Sequence, residues 1–260
     1  MSSKAVVLKT PAEIEIMAEA NRLVAETLTL LSTRVAPGVS TADLDGWAEE
    51  YARKHGGVPA FKGYRGFPGS LCVSLNEQVV HGIPSRKVIL REGDIISMDF
   101  GVQWQGFFGD AAVTLPVGKV TPQVGRLLEV TRGSLQRGIE KVQVGNRISD
   151  ISRAVQQHVE EHGFSVVRQF VGHGIGSRLH EPPEIPNYVR GGGTSPRLQA
   201  GMVLAIEPMV NAGTHEVRVL KDGWTVITRD RLPSAHFEHS VAVTEKGPRV
   251  LSGAADLIVI

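Results

Sequence analysis

The sequence predicts an α+β fold built from one unit used twice. Three observations predict it. Segments of helical and strand-like pattern follow in the order two helices, strands, two helices, strands. The two helix pairs carry the same residues at the same spacings. Acidic residues also stand inside apolar strand segments at matching places in the two halves. Separate runs of helices and strands are what an α+β architecture requires, and self-similarity along a chain marks a repeated structural unit.

The elements follow in order. Thr10-Pro11-Ala12-Glu13 is a helix start, with threonine to cap, proline in the first turn and glutamate to close a capping box. Ile14, Met17, Val24, Leu28 and Leu31 then recur at helical spacing, and Pro37-Gly38 is expected to end the helix. A second helix is predicted from about Thr41 to His55, with Leu44, Trp47, Ala48 and Tyr51 on one face. Residues 58–116 are rich in glycine and β-branched residues and predict strands and turns. Thr121-Pro122 opens a third helix with Val124, Leu128, Leu135 and Ile139 inward. A fourth, from about Ser149 to His162, carries Ile151, Val155 and Val159. Strands are predicted again from about Val166 onward.

The repeat is visible residue by residue. Gly38 precedes Asp43-Leu44 by five positions, and Gly145 precedes Asp150-Ile151 by five. Asp43 stands twelve before His55-Gly56, as Asp150 does before His162-Gly163. His81-Gly82-Ile83 is answered by His173-Gly174-Ile175, and Gly93 stands six before Asp99 as Gly201 does before Glu207. No low-complexity segment or long linker separates the halves, and Gly191-Gly192-Gly193 reads as a short flexible loop. One domain is therefore expected over 1–260, with the repeat at roughly 10–118 and 121–252 and the halves related by a pseudo-twofold axis. Equivalent residues would meet near that axis.

Composition narrows the function. A formal net charge of +1 offers no case for a polyanion such as DNA as partner. Cys72 is the only cysteine, so no internal disulfide and no cysteine zinc finger is possible. No stretch approaches the roughly 18 apolar residues of a membrane span, and the start has no signal-like apolar run. A cytoplasmic protein is the expectation.

Four carboxylates carry the chemistry. Asp99 lies in Ile95-Ile96-Ser97-Met98-Asp99-Phe100, and Glu207 ends Val203-Leu204-Ala205-Ile206-Glu207. Asp110 precedes Ala111-Ala112-Val113, and Glu238 lies in Phe237-Glu238-His239-Ser240-Val241. A buried ionised carboxylate must be paired, protonated or metal-bound. Gln103-Trp104-Gln105-Gly106 suits a type I turn with glycine in a left-handed bulge position, which would set Asp99 and Asp110 nearly opposite on paired strands. Four negative charges match two divalent cations, and a neutral imidazole, His173 or His81, adds a ligand without upsetting that balance. Oxygen-rich ligation with one histidine suits Mn, Fe, Co or Zn. Two such ions about 3.5–4 Å apart activate a shared water, which is hydrolytic machinery. His55, His158, His162 and His215 carry no such pattern. His236 and His239 flank Glu238 and would point to the opposite face of its strand.

The motifs resemble those of type I methionine aminopeptidases. The resemblance rests on Asn76-Glu77-Gln78-Val79-Val80-His81-Gly82-Ile83-Pro84, Ser97-Met98-Asp99-Phe100-Gly101 and Gly109-Asp110-Ala111-Ala112. It rests equally on Gly172-His173-Gly174-Ile175-Gly176, His180-Glu181-Pro182-Pro183, Gly201-Met202-Val203-Leu204-Ala205-Ile206-Glu207-Pro208 and Ser234-Ala235-His236-Phe237-Glu238-His239. It runs in order from about residue 10 to about 252. The resemblance implies the pita-bread fold, a curved antiparallel sheet from duplicated halves backed by helices. It implies Asp99, Asp110, His173, Glu207 and Glu238 as ligands of two divalent ions (Co, Mn, Fe, Zn or Ni), with Asp110 and Glu238 bridging. It implies that Glu207 takes the proton of the nucleophilic water. His81 would lie near the scissile nitrogen, and His180 on the carbonyl side. A methionine pocket would be lined by Phe61, Tyr64, Phe67, Cys72, His81, Leu179 and Trp224. Four positions depart from the family's habit: Leu179 stands where an aromatic is usual, His236 where glutamine is frequent, and Phe61 and Phe67 vary from common choices. Leu179 bears on pocket shape and leaves the chemistry alone.

The implied substrates are polypeptide N-termini, nascent chains at the ribosome among them, with a small second residue. The implied state is a monomer. The 31 residues from Glu207 to Glu238 leave no room for the large insertion of the type II enzymes, so a bare bacterial-type catalytic domain is expected. The chain begins Met1-Ser2, so it is expected to process its own kind. Two other readings share the pattern: a prolidase or aminopeptidase P acting on Xaa-Pro bonds, and a binding protein that kept the fold without the chemistry. The first usually carries a large domain ahead of its catalytic half, and the second typically lacks ligands that are all present here.

Overall fold

The computed structural model describes residues 6–191 and 195–253. Part of the predicted Gly191-Gly192-Gly193 loop and the Met1-Ser2 start lie outside them. Four helices, α1 (Pro11–Ser32), α2 (Thr41–Lys54), α3 (Pro122–Ile139) and α4 (Ile148–Glu161), alternate with strands in the expected order. Thr10 caps α1 as its sequence predicts: its hydroxyl accepts from the Glu13 N–H and its own N–H donates to the Glu13 carboxylate. Ser40 and Asp43 make the same reciprocal cap on α2.

The end of α1 differs from expectation. The helix stops at Ser32, before Pro37-Gly38. Its last turns are hydroxyl-rich: Thr29, Ser32 and Thr33 each donate to a carbonyl three or four residues back. Such bonds occupy the carbonyls that the next turn would use, which favours termination.

Among the described residues, nine strands form one antiparallel sheet. Seven lie in the order Val58–Pro59, Ile95–Trp104, Phe107–Pro116, Glu238–Thr244, Val203–Ile206, Gly172–Gly174, Glu181–Ile185. Cys72–Leu75 also pairs with Ile95–Trp104, and Gly247–Val250 with Glu238–Thr244. Strand alternation sorts this sheet into two faces. Ile96, Met98, Phe100, Ala111, Val113, Leu115, Leu204, Ile206, Val241 and Val243 join the main core, packed with Leu28, Leu31, Leu128 and Ile139 of the helices. Deleting a side chain such as Leu28, fully buried there, costs about 2–5 kcal/mol. The intervening residues Ser97, Asp99, Gly101, Asp110, Ala112 and Thr114 belong to the other face. The carboxylates are therefore not strays in apolar strands; they are one face of those strands.

The hairpin at the sheet's centre corrects two expectations. Trp104 pairs with Phe107, so the turn has two residues, Gln105 and Gly106, both at positive φ. Such a turn matches strand twist better than a type I turn with a bulge. The register it sets pairs Asp99 with Ala112 and Asp110 with Gly101. The two aspartates are diagonal neighbours on one face, not directly opposed.

Candidate metal centre

Sheet register assembles the site in two adjacent rows. In one row Cys72 pairs with Asp99, Asp99 with Ala112, and Ala112 with Glu238. In the next, Gly101 pairs with Asp110, while Ser240 pairs with Ala205 and Ala205 with His173. Ser240 joins the two parts by donating to the Asp110 carbonyl at 2.9 Å. Glu207 follows two residues after Ala205, so it falls beside Glu238. Between the ligand-type residues stand Gly101, Ala112, Ala205 and Ser240, whose small side chains leave room above the sheet. A Cβ on Gly101 would lie 2.7 Å from the Phe61 ring, so glycine there also lets Phe61 close the cavity.

The cavity has a volume of about 130 Å3. That is close to the roughly 150 Å3 that takes one benzene-sized guest. Asp99, Asp110, His173, Glu207 and Glu238 line it together with Phe61, Tyr64, Phe67, Cys72, His81, Leu179, His180 and Trp224. Every residue that the resemblance implies as a ligand or as lining the pocket thus borders one space. Arg65 borders it as well and was not anticipated. It is exposed, stands at φ 51° and sets its guanidinium 5.4 Å from the Tyr64 ring centre. Its signal was Gly63-Tyr64-Arg65-Gly66, a glycine-flanked pair that the sequence marks as a turn.

Electrostatics make these carboxyls poor company for one another. Burial, partly offset by a hydrogen bond with Asp110, pushes the Asp99 carboxyl up to about 7. Burial, then the charges of Glu238 and Asp99, raise Asp110 well above the usual carboxylate range. Glu207 and Glu238 are raised likewise, by burial first and by neighbouring carboxylates second. Asp99 Oδ1, Asp110 Oδ1 and Glu238 Oε1 are buried without a hydrogen-bond partner. Native proteins seldom leave such oxygens unsatisfied.

The histidines are neutral in this setting. Burial holds His173 down to about 4. Burial of much of its ring, then the proximity of His173, Arg65 and His81, hold His180 down to about 3. His173 Nδ1–H donates to the Gly174 carbonyl at 3.0 Å, which leaves the Nε2 lone pair facing Glu207 Oε1 at 3.5 Å. A ring fixed by its outer nitrogen with its inner lone pair free is how a metal-ligating histidine is set. Asp110, His173 and Glu238 offer ligand atoms within 4.8 Å of one another. Hard oxygens, one imidazole and unpaired buried charge fit a divalent cation. Cys72 does not compete: burial raises its thiol well above the ordinary range.

His236 corrects another expectation. Its Nε2 lies 3.9 Å from Glu207 Oε2, on the site side rather than away from it. Alternation fails because the chain changes sheets at Phe237. Ser234–His236 pairs with Met209–Asn211, whereas Glu238–Thr244 belongs to the main sheet. Thr114 fixes His236 by donating to its carbonyl and accepting its N–H, at 2.7 and 2.8 Å. His239 does face away, toward Ser252 at 2.8 Å. Asn187, also not anticipated, donates to the Glu207 carbonyl at 2.9 Å and pins the end of that strand.

A curved antiparallel sheet backed by helices, with carboxylates and an imidazole facing one cavity, defines a metal-dependent peptidase. The comparisons agree. Residues 15–245 match Metallopeptidase family M24. Methionine aminopeptidase 1 of Bacillus subtilis is 51% identical over 247 residues, 95% of this chain and 99% of that one. The crystal structure of methionine aminopeptidase from Rickettsia prowazekii superposes with a TM-score of 0.92 at 40% identity, covering 95% of this chain and 100% of that one. The chain belongs to the methionine aminopeptidases of family M24, and its fold is the pita-bread fold. Prolidase from Pyrococcus furiosus shares that fold at 22% identity and a TM-score of 0.76, with this chain covering 65% of it.

Proposed function

We propose that this chain is a bacterial-type methionine aminopeptidase that hydrolyses the bond after an N-terminal methionine when the second residue is small. The observation that carries the reading is the set of buried carboxylate oxygens without partners on Asp99, Asp110 and Glu238, facing a cavity sized for one side chain. In this reading the repeat, 10–118 and 121–252, forms a single catalytic domain over 1–260.

Asp99, Asp110, His173, Glu207 and Glu238 would hold two divalent cations, Asp110 and Glu238 serving both. Co, Mn, Fe, Zn and Ni all suit that donor set. When bound, such ions supply a hydroxide near neutral pH and polarise the scissile carbonyl. Glu207 accepts the proton of the attacking water. His180 donates to the developing oxyanion from the carbonyl side, and His81 stands by the scissile nitrogen. The first residue lies against Phe61, Tyr64, Phe67, Cys72, His81, Leu179 and Trp224, where a thioether gains from the aromatic rings. Only a free N-terminus places an amine beside the carboxylate cluster while the rest of the chain leaves by the open side.

Substrates in this reading are nascent and completed polypeptides met at or near the ribosome in the cytoplasm, by a monomeric enzyme. No helix among the described residues is long and apolar enough to cross a membrane. The test is an assay with each metal in turn on Met-starting peptides of varied second residue, with Xaa-Pro peptides in parallel and bound metal quantified. Cleavage of Met-Ala-Ser with little cleavage of Xaa-Pro supports the proposal. The reverse preference favours a prolidase, and metal binding without hydrolysis favours a binding protein.

A further inference from the structure

One buried ion pair outside the cavity ties the start of the described chain to the loop that carries Leu179 and His180. Lys9 stands just ahead of α1, and its N–H donates to the Gly201 carbonyl at 2.7 Å. Its Nζ donates to Glu181 Oε2 at 2.6 Å and to the Val7 carbonyl at 3.0 Å. The two charged side chains are 3% and 0% exposed. The other carboxylate oxygen, Glu181 Oε1, accepts from the Arg178 N–H at 3.0 Å and the Ser177 hydroxyl at 3.4 Å. Residues 177–181 are thus coiled round a single carboxylate.

The packing is tight where lysine meets loop. A Cβ on Gly176 would lie 2.3 Å from Lys9 Cε and 2.8 Å from Glu181 Oε1. Glycine is what lets the lysine reach its partner. The loop's near end is fixed as well, since the Phe108 N–H donates to the Gly176 carbonyl at 2.9 Å. Leu179 is buried in the cavity wall and His180 stands at the exposed edge.

A buried carboxylate stripped of its cation must regain water or a proton. Here it can regain water only by uncoiling the segment that presents Leu179 and His180. We infer that Lys9 is a positioning residue, holding His180 in register with the cavity through Glu181. The inference rests on the proposed role of His180 at the scissile carbonyl. Asp99, Asp110, His173 and Glu238 sit on sheet strands, Glu207 directly follows one, and the pairing of Gly174 with Glu181 holds the His173 strand in the sheet, so metal binding is spared when Lys9 is lost.

The test is a double-mutant cycle on the full-length, metal-loaded enzyme. Lys9→Met lowers kcat about tenfold with KM and bound metal nearly unchanged, the scale expected when coupled residues are separated. In a His180→Ala background the same substitution changes kcat less than about twofold, because the group it positions is gone. Lys9→Arg keeps a cation beside Glu181 and retains more of kcat than Lys9→Met; it also carries the cycle if the methionine variant does not fold. Equal factors in the two backgrounds overturn the inference and leave the role of His180 standing. Wild-type turnover in His180→Ala overturns both.

Discussion

The phenol of Tyr64 lies 2.9 Å from Nδ1 of His180, with the two rings stacked at 5.3 Å. The proposed oxyanion contact requires the phenol to donate its proton to this nitrogen. Nε2 of His180 then carries the imidazole proton. His173, whose ring centre is 4.2 Å away, is set the other way, with Nδ1 protonated by its bond to Gly174. In that arrangement two neighbouring imidazoles hold opposite tautomers, one with a lone pair for a cation and one with a donor for an oxyanion.

Tyr64→Phe tests that arrangement. Without the phenol, His180 is free to place its proton on either nitrogen. We expect kcat to fall about tenfold, within the range for losing a group that orients a catalytic partner, while bound metal is retained. Steady-state kinetics with metal analysis decide it. Loss of metal with unchanged turnover per bound ion would mean that Tyr64 supports the cation site instead.

Asp110→Asn separates chemistry from folding. In the proposed scheme it removes a bridging charge, so turnover should drop by more than about a hundredfold, beyond the loss typical of residues behind the ligands. The metal-free variant should nonetheless melt at a higher temperature than metal-free wild type. One of several mutually repelling buried carboxyls is then gone. Calorimetry of both proteins in chelator reads the sign.

The raised carboxyls fix a pH dependence. Asp99 titrates at about 7 in the fold, against about 4 for an ordinary aspartate. A group whose proton is held more tightly by the fold supports stability below its ordinary pKa, and that support is lost as the pH rises through the folded value. Metal-free protein should therefore lose stability between about pH 4 and 7 through Asp99, with Asp110, Glu207 and Glu238 acting in the same direction. His173 pulls the other way: its neutral form supports the fold above 6.5, and that support is lost as the pH falls through about 4. Cations displace the carboxyl protons, so metal affinity should climb from pH 5 to 8 with proton release. Titration calorimetry in two buffers of different ionisation enthalpy measures both.

In the proposed scheme Leu179 sets the size of the first-residue pocket. It is buried against the cavity. Leu179→Ala should cost about 2–5 kcal/mol of stability. It should also raise the relative rate on N-terminal residues bulkier than methionine. Competition between Met-Ala-Ser and Phe-Ala-Ser peptides checks the second effect.

Much of this was legible in the sequence, for a physical reason. Capping residues and apolar spacing act locally, so the helices could be read from Thr10-Pro11-Ala12-Glu13 and its counterparts. Carboxylates among strand apolars marked the cavity because burying charge costs so much. What could not be read was set by pairing. Whether Asp99 faces Asp110 or Ala112 depends on a turn of two residues, Gln105 and Gly106, in place of the four from Gln103 to Gly106. Whether His236 shares a face with Glu238 depends on the chain leaving one sheet for another at Phe237. Arg65 and Asn187 reach the site from a loop and from a contact distant in sequence, neither of which leaves a periodic trace.

The central claim is that Asp99, Asp110, His173, Glu207 and Glu238 cage a pair of divalent cations. Anomalous scattering from crystals grown with manganese tests it most directly. The account predicts two peaks about 3.5–4 Å apart, flanked by those five side chains, with oxygens of Asp110 and Glu238 between them. Manganese found elsewhere on the surface, with these carboxyls protonated and bonded to one another, would contradict it.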